Sequence, residues 1–319
     1  LRRAPDHHGA AALDAVIDAT PEGDEESGPV SSAIKIYQGR FGRVALLDMD
    51  APLVQHAHHH CHLLIKAGGP DTFFDVQGEQ QPLTAETAVL VNPWEPHAYK
   101  HNNHAETNTI ILALYIETDW LSQIQHPVVG VGRPQYFTQR CVKMSAHAIK
   151  RAEELVMEMW WSDSVAAERL EILLCDLLIS VVDPSRNWRE LSRDMALSIR
   201  RPSDPRIRKA IAWLHENSRD DLDMGQIAEL CGLSRAHFFS LFYRCTGVTP
   251  NVYLNVLRME KAIVDLSSGH NTLSDISFDL GFSAPAHFTR FFRQHLGIKP
   301  SEYRRVVELY ALDDDTVEI

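Results

Sequence analysis

The chain has 319 residues and a net charge of −12, with 45% hydrophobic, 23% charged and 8% aromatic residues. At ~100–200 residues per domain that length suffices for about two folded units, and the composition excludes a collagen-like, disordered or disulfide-framework protein. No apolar run reaches the ~18 residues a membrane helix needs, no basic and apolar leader opens the sequence, and the five cysteines form no C-x-x-C pair. A cytoplasmic protein with reduced thiols and no membrane partner is expected.

Residues 1–33, rich in Ala, Asp, Glu, Gly and Pro and lacking any sustained period, read as a mobile acidic arm. From 34 to 141 the sequence changes to short β-rich runs such as Ile34–Tyr37, Val44–Leu47, Thr72–Val76 and Ala88–Val91, punctuated by Gly, Pro and Asn. That texture predicts an all-β sandwich or small barrel. Over 142–183 the apolar period becomes helical in two stretches, Met144–Trp161 and Val165–Val182, split by Ser162-Asp163-Ser164. An antiparallel helix pair is expected, with Leu155, Met159, Leu170, Leu173, Leu174 and Leu177 as its apolar stripe, packed either on the barrel or against a second copy. The polar, Arg-rich stretch 184–204 is the linker, 205–307 reads helical throughout, and 308–319 is an acidic tail.

Charge divides along the same lines. Residues 203–307 hold 13 basic against 11 acidic side chains, whereas 1–202 hold 18 against 27. The mildly basic helical block is where a polyanion would dock.

That block contains an internal repeat. Ile227-Ala228-Glu229-Leu230-Cys231-Gly232-Leu233-Ser234 recurs as Ile276-Ser277-Phe278-Asp279-Leu280-Gly281-Phe282-Ser283, and after one inserted residue His237-Phe238, Phe242, Gly247, Pro250 and Tyr253 answer to His287-Phe288, Phe292, Gly297, Pro300 and Tyr303. Each copy has a short amphipathic helix, a Gly for a turn of positive φ, an apolar plug and a Ser able to cap a second helix. These are the parts of a helix-turn-helix.

The run Leu222–Ala228, Gly232–Phe238 and Gly247–Pro250, and above all Ile276–Ser283, His287-Phe288 and Gly297–Arg305, resembles the DNA-binding domain of AraC/XylS-type transcription regulators. The resemblance implies two helix-turn-helix units held apart by a long helix over Tyr253–Ser267, so that recognition helices near Arg235–Arg244 and Ala284–Gln294 enter successive major grooves of double-stranded promoter DNA. Their exposed positions would be Arg235, Ala236, Phe239 and Ser240 in the first and Ala286, Thr289, Arg290 and Arg293 in the second. Arg290 suits bidentate contact to guanine, Arg235 suits either base or phosphate, and the alanines and Phe239 suit thymine methyls or sugar. The same resemblance implies a homodimer that contacts RNA polymerase, and an activator.

In the β-rich part, His56-Ala57-His58-His59-His60-Cys61-His62 places His56, His58, His60 and His62 on one face if the segment is a strand. With Asn92-Pro93-Trp94-Glu95-Pro96-His97 further on, this resembles the cupin barrel that regulators of this family carry as a sensor. Carried over residue by residue, the metal set is His56, His58, His97 and, where such cupins have an acid, His62. Four imidazoles suit a divalent transition metal, and equally a polar organic effector held by His56, His58, His60, His62 and His97 with Trp94 and Tyr99 as walls. The fold class expected is therefore multidomain: an all-β cupin-like barrel with a helix pair, then an all-α domain with two helix-turn-helix units. No nucleotide fingerprint, nucleophile elbow or metalloprotease motif is present, so no enzyme is expected. The alternatives are a metal-dependent cupin enzyme fused to a DNA-binding domain, and a constitutive DNA-binding protein whose barrel senses nothing.

Overall fold

A computed structural model describes residues 31–101, 107–124, 128–129, 134–162, 165–182, 204–218 and 222–310. The arm up to residue 30, the linker up to residue 203 and the tail from residue 311 lie outside the described residues.

The N-terminal part carries β1 (Ser32–Gly39), β2 (Gly42–Met49), β3 (Cys61–Gly68), β4 (Thr72–Val76), β5 (Glu79–Leu83), β6 (Thr87–Val91), β7 (His97–Lys100) and β8 (Thr109–Ile116). After α1 (Thr118–Ile124) come the short β9 (Val128–Val129), β10 (Pro134–Gln135) and β11 (Cys141–Lys143), then the helix pair α2 (Ala146–Trp161) and α3 (Ala167–Val181). The C-terminal part holds α4 (Pro205–Asn217), α5 (Met224–Leu230), α6 (Arg235–Thr246), α7 (Pro250–Ser268), α8 (Leu273–Asp279), α9 (Pro285–Leu296), α10 (Pro300–Val306) and a last strand, β12 (Val307–Leu309).

A seven-stranded sheet in the order β11-β6-β3-β8-β2-β1-β12 is the centre of the molecule. It is buried on both faces, which is why Val44-Ala45-Leu46-Leu47 and Ile111–Ile116 are continuous apolar runs and not alternating ones. Val44, Leu46, Leu63 and Leu114 face a core closed by α2 and α3, with Leu155, Met159, Leu170, Leu174 and Leu177 of the expected stripe in it. The pair thus packs within the chain. Ala45, Leu47, Leu64 and Ala113 face a second core with Phe74, Val76, Leu83 and Tyr99 of the small sheet β5-β4-β7. The turn between β4 and β5 is Gln77-Gly78, both at positive φ, as a tight two-residue hairpin demands.

Two expectations change here. The barrel does not close: its strands form facing sheets, because the free edge of β1 is taken by β12 in parallel pairing (Ile36 opposite Val307, Gln38 opposite Leu309) and not by a strand of the small sheet. Consequently Glu308 and Leu309, expected in the acidic tail, complete the central sheet, with Glu308 paired to Lys35 at 3.1 Å.

Candidate DNA interface and effector site

Both helix-turn-helix units form. In the first, Gly232 turns at φ +67° and Ser234 caps α6, accepting from the His237 N–H at 3.4 Å. In the second, Gly281 turns at φ +77°, but the residue inserted after Ser283 moves the cap to Ala284, which offers no side-chain acceptor. Ser283 instead bonds the His287 imidazole at 2.9 Å. Phe238, Leu241 and Phe242 of α6, and Phe288, Phe292 and Leu296 of α9, are the buried faces.

Of the expected DNA readers, Arg235, Ala236 and Ser240 on α6 are exposed and Phe239 is half-buried, its ring 5.6 Å under the Arg235 guanidinium. On α9, Ala286 and Arg290 are exposed and Arg293 and Thr289 half-buried; the Thr289 hydroxyl donates to the Pro285 carbonyl at 3.0 Å.

Helix α9 has a third face. His287, Arg290, Phe291, Gln294 and His295 recur at helical spacing and line a cavity of about 340 Å³ whose other wall is the sheet domain. From that side come Arg43, Tyr115, His56 and His58, while α7 adds Asn255 and Glu260. Arg43 is buried, with its guanidinium 4.0 Å from the centre of the Tyr115 ring. Burial works against its charge, yet Tyr303, Tyr115 and Glu260 hold it protonated. Arg290 lies at the border of the cavity face and the outward face that also carries Ala286 and Arg293.

Of the expected effector-binding histidines, His56 and His58 line this cavity and His62 and His97 do not. The segment His56–His60 is not a strand: β3 starts at Cys61, and His56 joins the small sheet by an isolated bridge to His97. Even so, the rings of His56, His58, His62 and His97 come together, with centroids 4.4 Å apart for His56 and His97, 4.8 Å for His58 and His97 and 5.0 Å for His58 and His62. Nδ1–H of His56 donates to the Val54 carbonyl (2.9 Å), that of His58 to His60 (3.2 Å) and that of His97 to Glu95 (2.8 Å). A carbonyl only accepts, so in all three rings Nε2 is left with its lone pair. That is how metal-ligating imidazoles are held.

Donor atoms of His56, His58 and His97 lie within 4.8 Å of one another. The Nδ1 of His62 lies 3.3 Å and 3.4 Å from Nε2 of His58 and His97, while its own Nε2 is buried with no partner. This set fits a divalent transition ion. Burial, reinforced in three of the rings by the other histidines, drives all four below the usual imidazole range, His97 to about 4, so the cluster is neutral at pH 7.

Three other assignments differ. His60 turns away from the cluster and bonds Glu117 at 3.0 Å. Trp94, held at φ +64°, stacks on Tyr253 of α7 with centroids 4.8 Å apart and 6° between planes. Tyr99 is wholly buried against Phe74. Neither aromatic residue lines the cavity. Irregular backbone explains His60 and Trp94, because period-two alternation assigns faces only inside a strand, whereas Tyr99 lies in β7 opposite Phe74 and packs into the core between the sheets. Arg43 and Glu260, in contrast, were not singled out by sequence; the one available signal was a charge at the head of the apolar run Val44–Leu47.

Residues 206–306 match a family model described as a helix-turn-helix domain. The transcriptional activator RhaS of Escherichia fergusonii is 22% identical over 259 residues, covering 78% of this chain and 86% of that protein. An uncharacterised helix-turn-helix transcriptional regulator of Haemophilus influenzae is 29% identical over 106 residues, or 33% of this chain and 36% of that one. Among solved structures, an apo variant of ToxT from Vibrio cholerae superposes with a TM-score of 0.52 at 12% identity, covering 89% of this chain and all of the other, and so shares the two-part fold. Motif repeat, paired helix-turn-helix units and these likenesses agree: the chain carries an AraC/XylS-type double helix-turn-helix DNA-binding domain at its C-terminus behind a sheet-rich N-terminal domain, and along most of its length it is similar to a transcription regulator.

Proposed function

We propose that this regulator binds specific promoter sequences through α6 and α9, activates transcription there as a homodimer in contact with RNA polymerase, and does so in response to a small polar effector. The observation that carries the sensing role is the cavity itself. Its volume is within the ~300–1,000 Å³ range of ligand pockets, and its walls come from both the sheet domain and a recognition helix. An occupant touching Arg43 on one side and Arg290 on the other binds the two arrangements of these walls with different affinity, and that difference is what shifts a population. Two arginines, neutral imidazoles and Tyr115 suit an effector with carboxylate or hydroxyl oxygens. His56, His58 and His97 would hold a divalent transition metal, which when bound supplies a Lewis-acidic anchor for such an oxygen. The likeness to RhaS supports activation.

The homodimer reading rests on α2 and α3. Their inner stripe is spent within the chain, yet Met157, Trp160, Trp161, Ile172 and Ile179 remain exposed, Trp161 at 73%. Such an apolar patch marks an association surface.

Filling the cavity tests the sensing role. Asn255→Trp should retain binding to promoter DNA while losing the thermal shift that a panel of small carboxylates and polyols gives the unaltered chain. A variant that responds as before places the effector elsewhere.

A further inference from the structure

Glu260 of the cavity wall belongs to a second group of side chains as well. His59 and His60, just before β3, face Glu260 on α7, the helix that joins the two helix-turn-helix units. Nδ1 of His59 is 4.0 Å and Nδ1 of His60 3.8 Å from Oε1 of Glu260. The opposite ring nitrogens both turn to one carboxylate: Nε2 of His60 is 3.0 Å from Glu117 Oε1, and Nε2 of His59 is 3.8 Å from Glu117 Oε2. A carboxylate only accepts, so Glu117 keeps the proton of a neutral His60 ring on Nε2 and leaves its Nδ1 lone pair on the side of Glu260. His60 is 3% exposed, and its Nδ1 is a buried polar atom with no hydrogen-bond partner. An orphan of that kind costs free energy unless something fills the gap.

From this geometry we infer that His59, His60 and Glu260 form a second divalent transition-metal site, one that ties the sheet domain to the connecting helix of the DNA-binding domain. Two imidazoles and a carboxylate are the donor types of Zn²⁺, and bonds of ~2.0–2.1 Å in a tetrahedral site put donors about 3.4 Å apart. Closing 3.8 and 4.0 Å to that value needs shifts of a few tenths of an ångström. His59 and Glu260 are partly open to solvent, giving the ion an entrance and room for a water as fourth ligand. The site differs in kind from the His56, His58 and His97 group. All three of those ligands belong to the sheet domain, whereas here one ligand in three belongs to the other domain, so binding holds the domains together. Of the three, Glu260 also lines the cavity and His59 and His60 do not, so the inference is tested by metal binding and not by effector response.

The test is Zn²⁺ titration of the full chain, stripped with chelator, by calorimetry, with Co²⁺ absorption as a second readout. In a His97→Ala background, which removes the first group, one equivalent should still bind and Co²⁺ should give tetrahedral bands. Adding Glu260→Gln should abolish both. Glu117→Gln in the otherwise unaltered chain touches no ligand atom directly and should weaken one of two equivalents 10–100-fold. If the His97→Ala chain binds no ion, or binds it equally well with Glu260→Gln, His59, His60 and Glu260 are an ordinary ion pair and the inference fails.

Discussion

The two helix-turn-helix units share a pattern and differ in what they are attached to. The first has a core of its own: Ile207 and Leu214 of α4, Ile227 of α5, and Phe238 and Phe242 of α6 close on each other, and among the described apolar residues of the sheet domain Ala57 and Trp94 reach it. The second has none that stops at the domain boundary. Phe288, Phe292, Ile298 and Tyr303 lie in one apolar cluster with Ile36, Leu47, Met49 and Ile111 of the central sheet. Polar contacts follow suit: Gln38 of β1 accepts from the Tyr303 hydroxyl at 2.9 Å and from Ser267 at 3.0 Å, and Glu302 accepts the Ala33 N–H at 2.8 Å. Helix α7 divides between them, with Val252, Tyr253 and Leu254 in the first core and Met259, Ile263 and Leu266 in the second. The repeat therefore holds one unit that packs separately and one that is continuous with the sheet domain.

The largest way to break this contrast is to remove a ring from each core. Phe292→Ala and Phe238→Ala should each cost about 3–5 kcal/mol, as buried phenylalanine truncations do. In denaturant titrations followed by hydrogen exchange, the first should lower the stability of the sheet domain as well, and the second should leave it unchanged. Next is Arg290→Ala, expected to weaken binding to the cognate DNA site by about 1–3 kcal/mol and relax preference at one base position. Because Arg290 also lines the cavity, the same variant should lose effector response, which Arg235→Ala should keep; DNA titrations on a set of single-base variants, with and without effector, read both.

The Trp94–Tyr253 link to the first unit should be modest. A double-mutant cycle on Trp94→Ala and Tyr253→Ala is expected to give a coupling of about 0.5–1.5 kcal/mol, measured by denaturant unfolding. Smallest is the difference in capping. Ser234→Ala should destabilise by about 1 kcal/mol through loss of the α6 cap, and Ser283→Ala by less than half of that, because Ser283 caps nothing.

Much of this was legible in the residues. The repeat, its Gly turns, the long connecting helix and the apolar faces of α6 and α9 depend on local spacing, and local spacing is what a sequence displays. The meeting of His56, His58, His62 and His97 was also foreseen, though for a reason that fails: the segment before Cys61 is irregular, and an isolated bridge, not strand alternation, brings His56 to His97. The docking of the second unit was not legible. Val307 reads as the end of the helical block and Glu308-Leu309 as the start of the acidic tail, and their partner Ile36–Gln38 lies about 270 residues away in the chain. Glu117 and Glu260 are ordinary surface acids by pattern, and only the fold puts both beside the same two histidines.

Native-state hydrogen exchange of the full chain tests the central claim most directly, since it reads the opening free energy of each element separately. Amides of α9 should open together with those of β2 and β8, at the same free energy, while α6 opens at a free energy of its own. Joint opening of α6 and α9, apart from the sheet, would contradict the account and make the two units one independent domain.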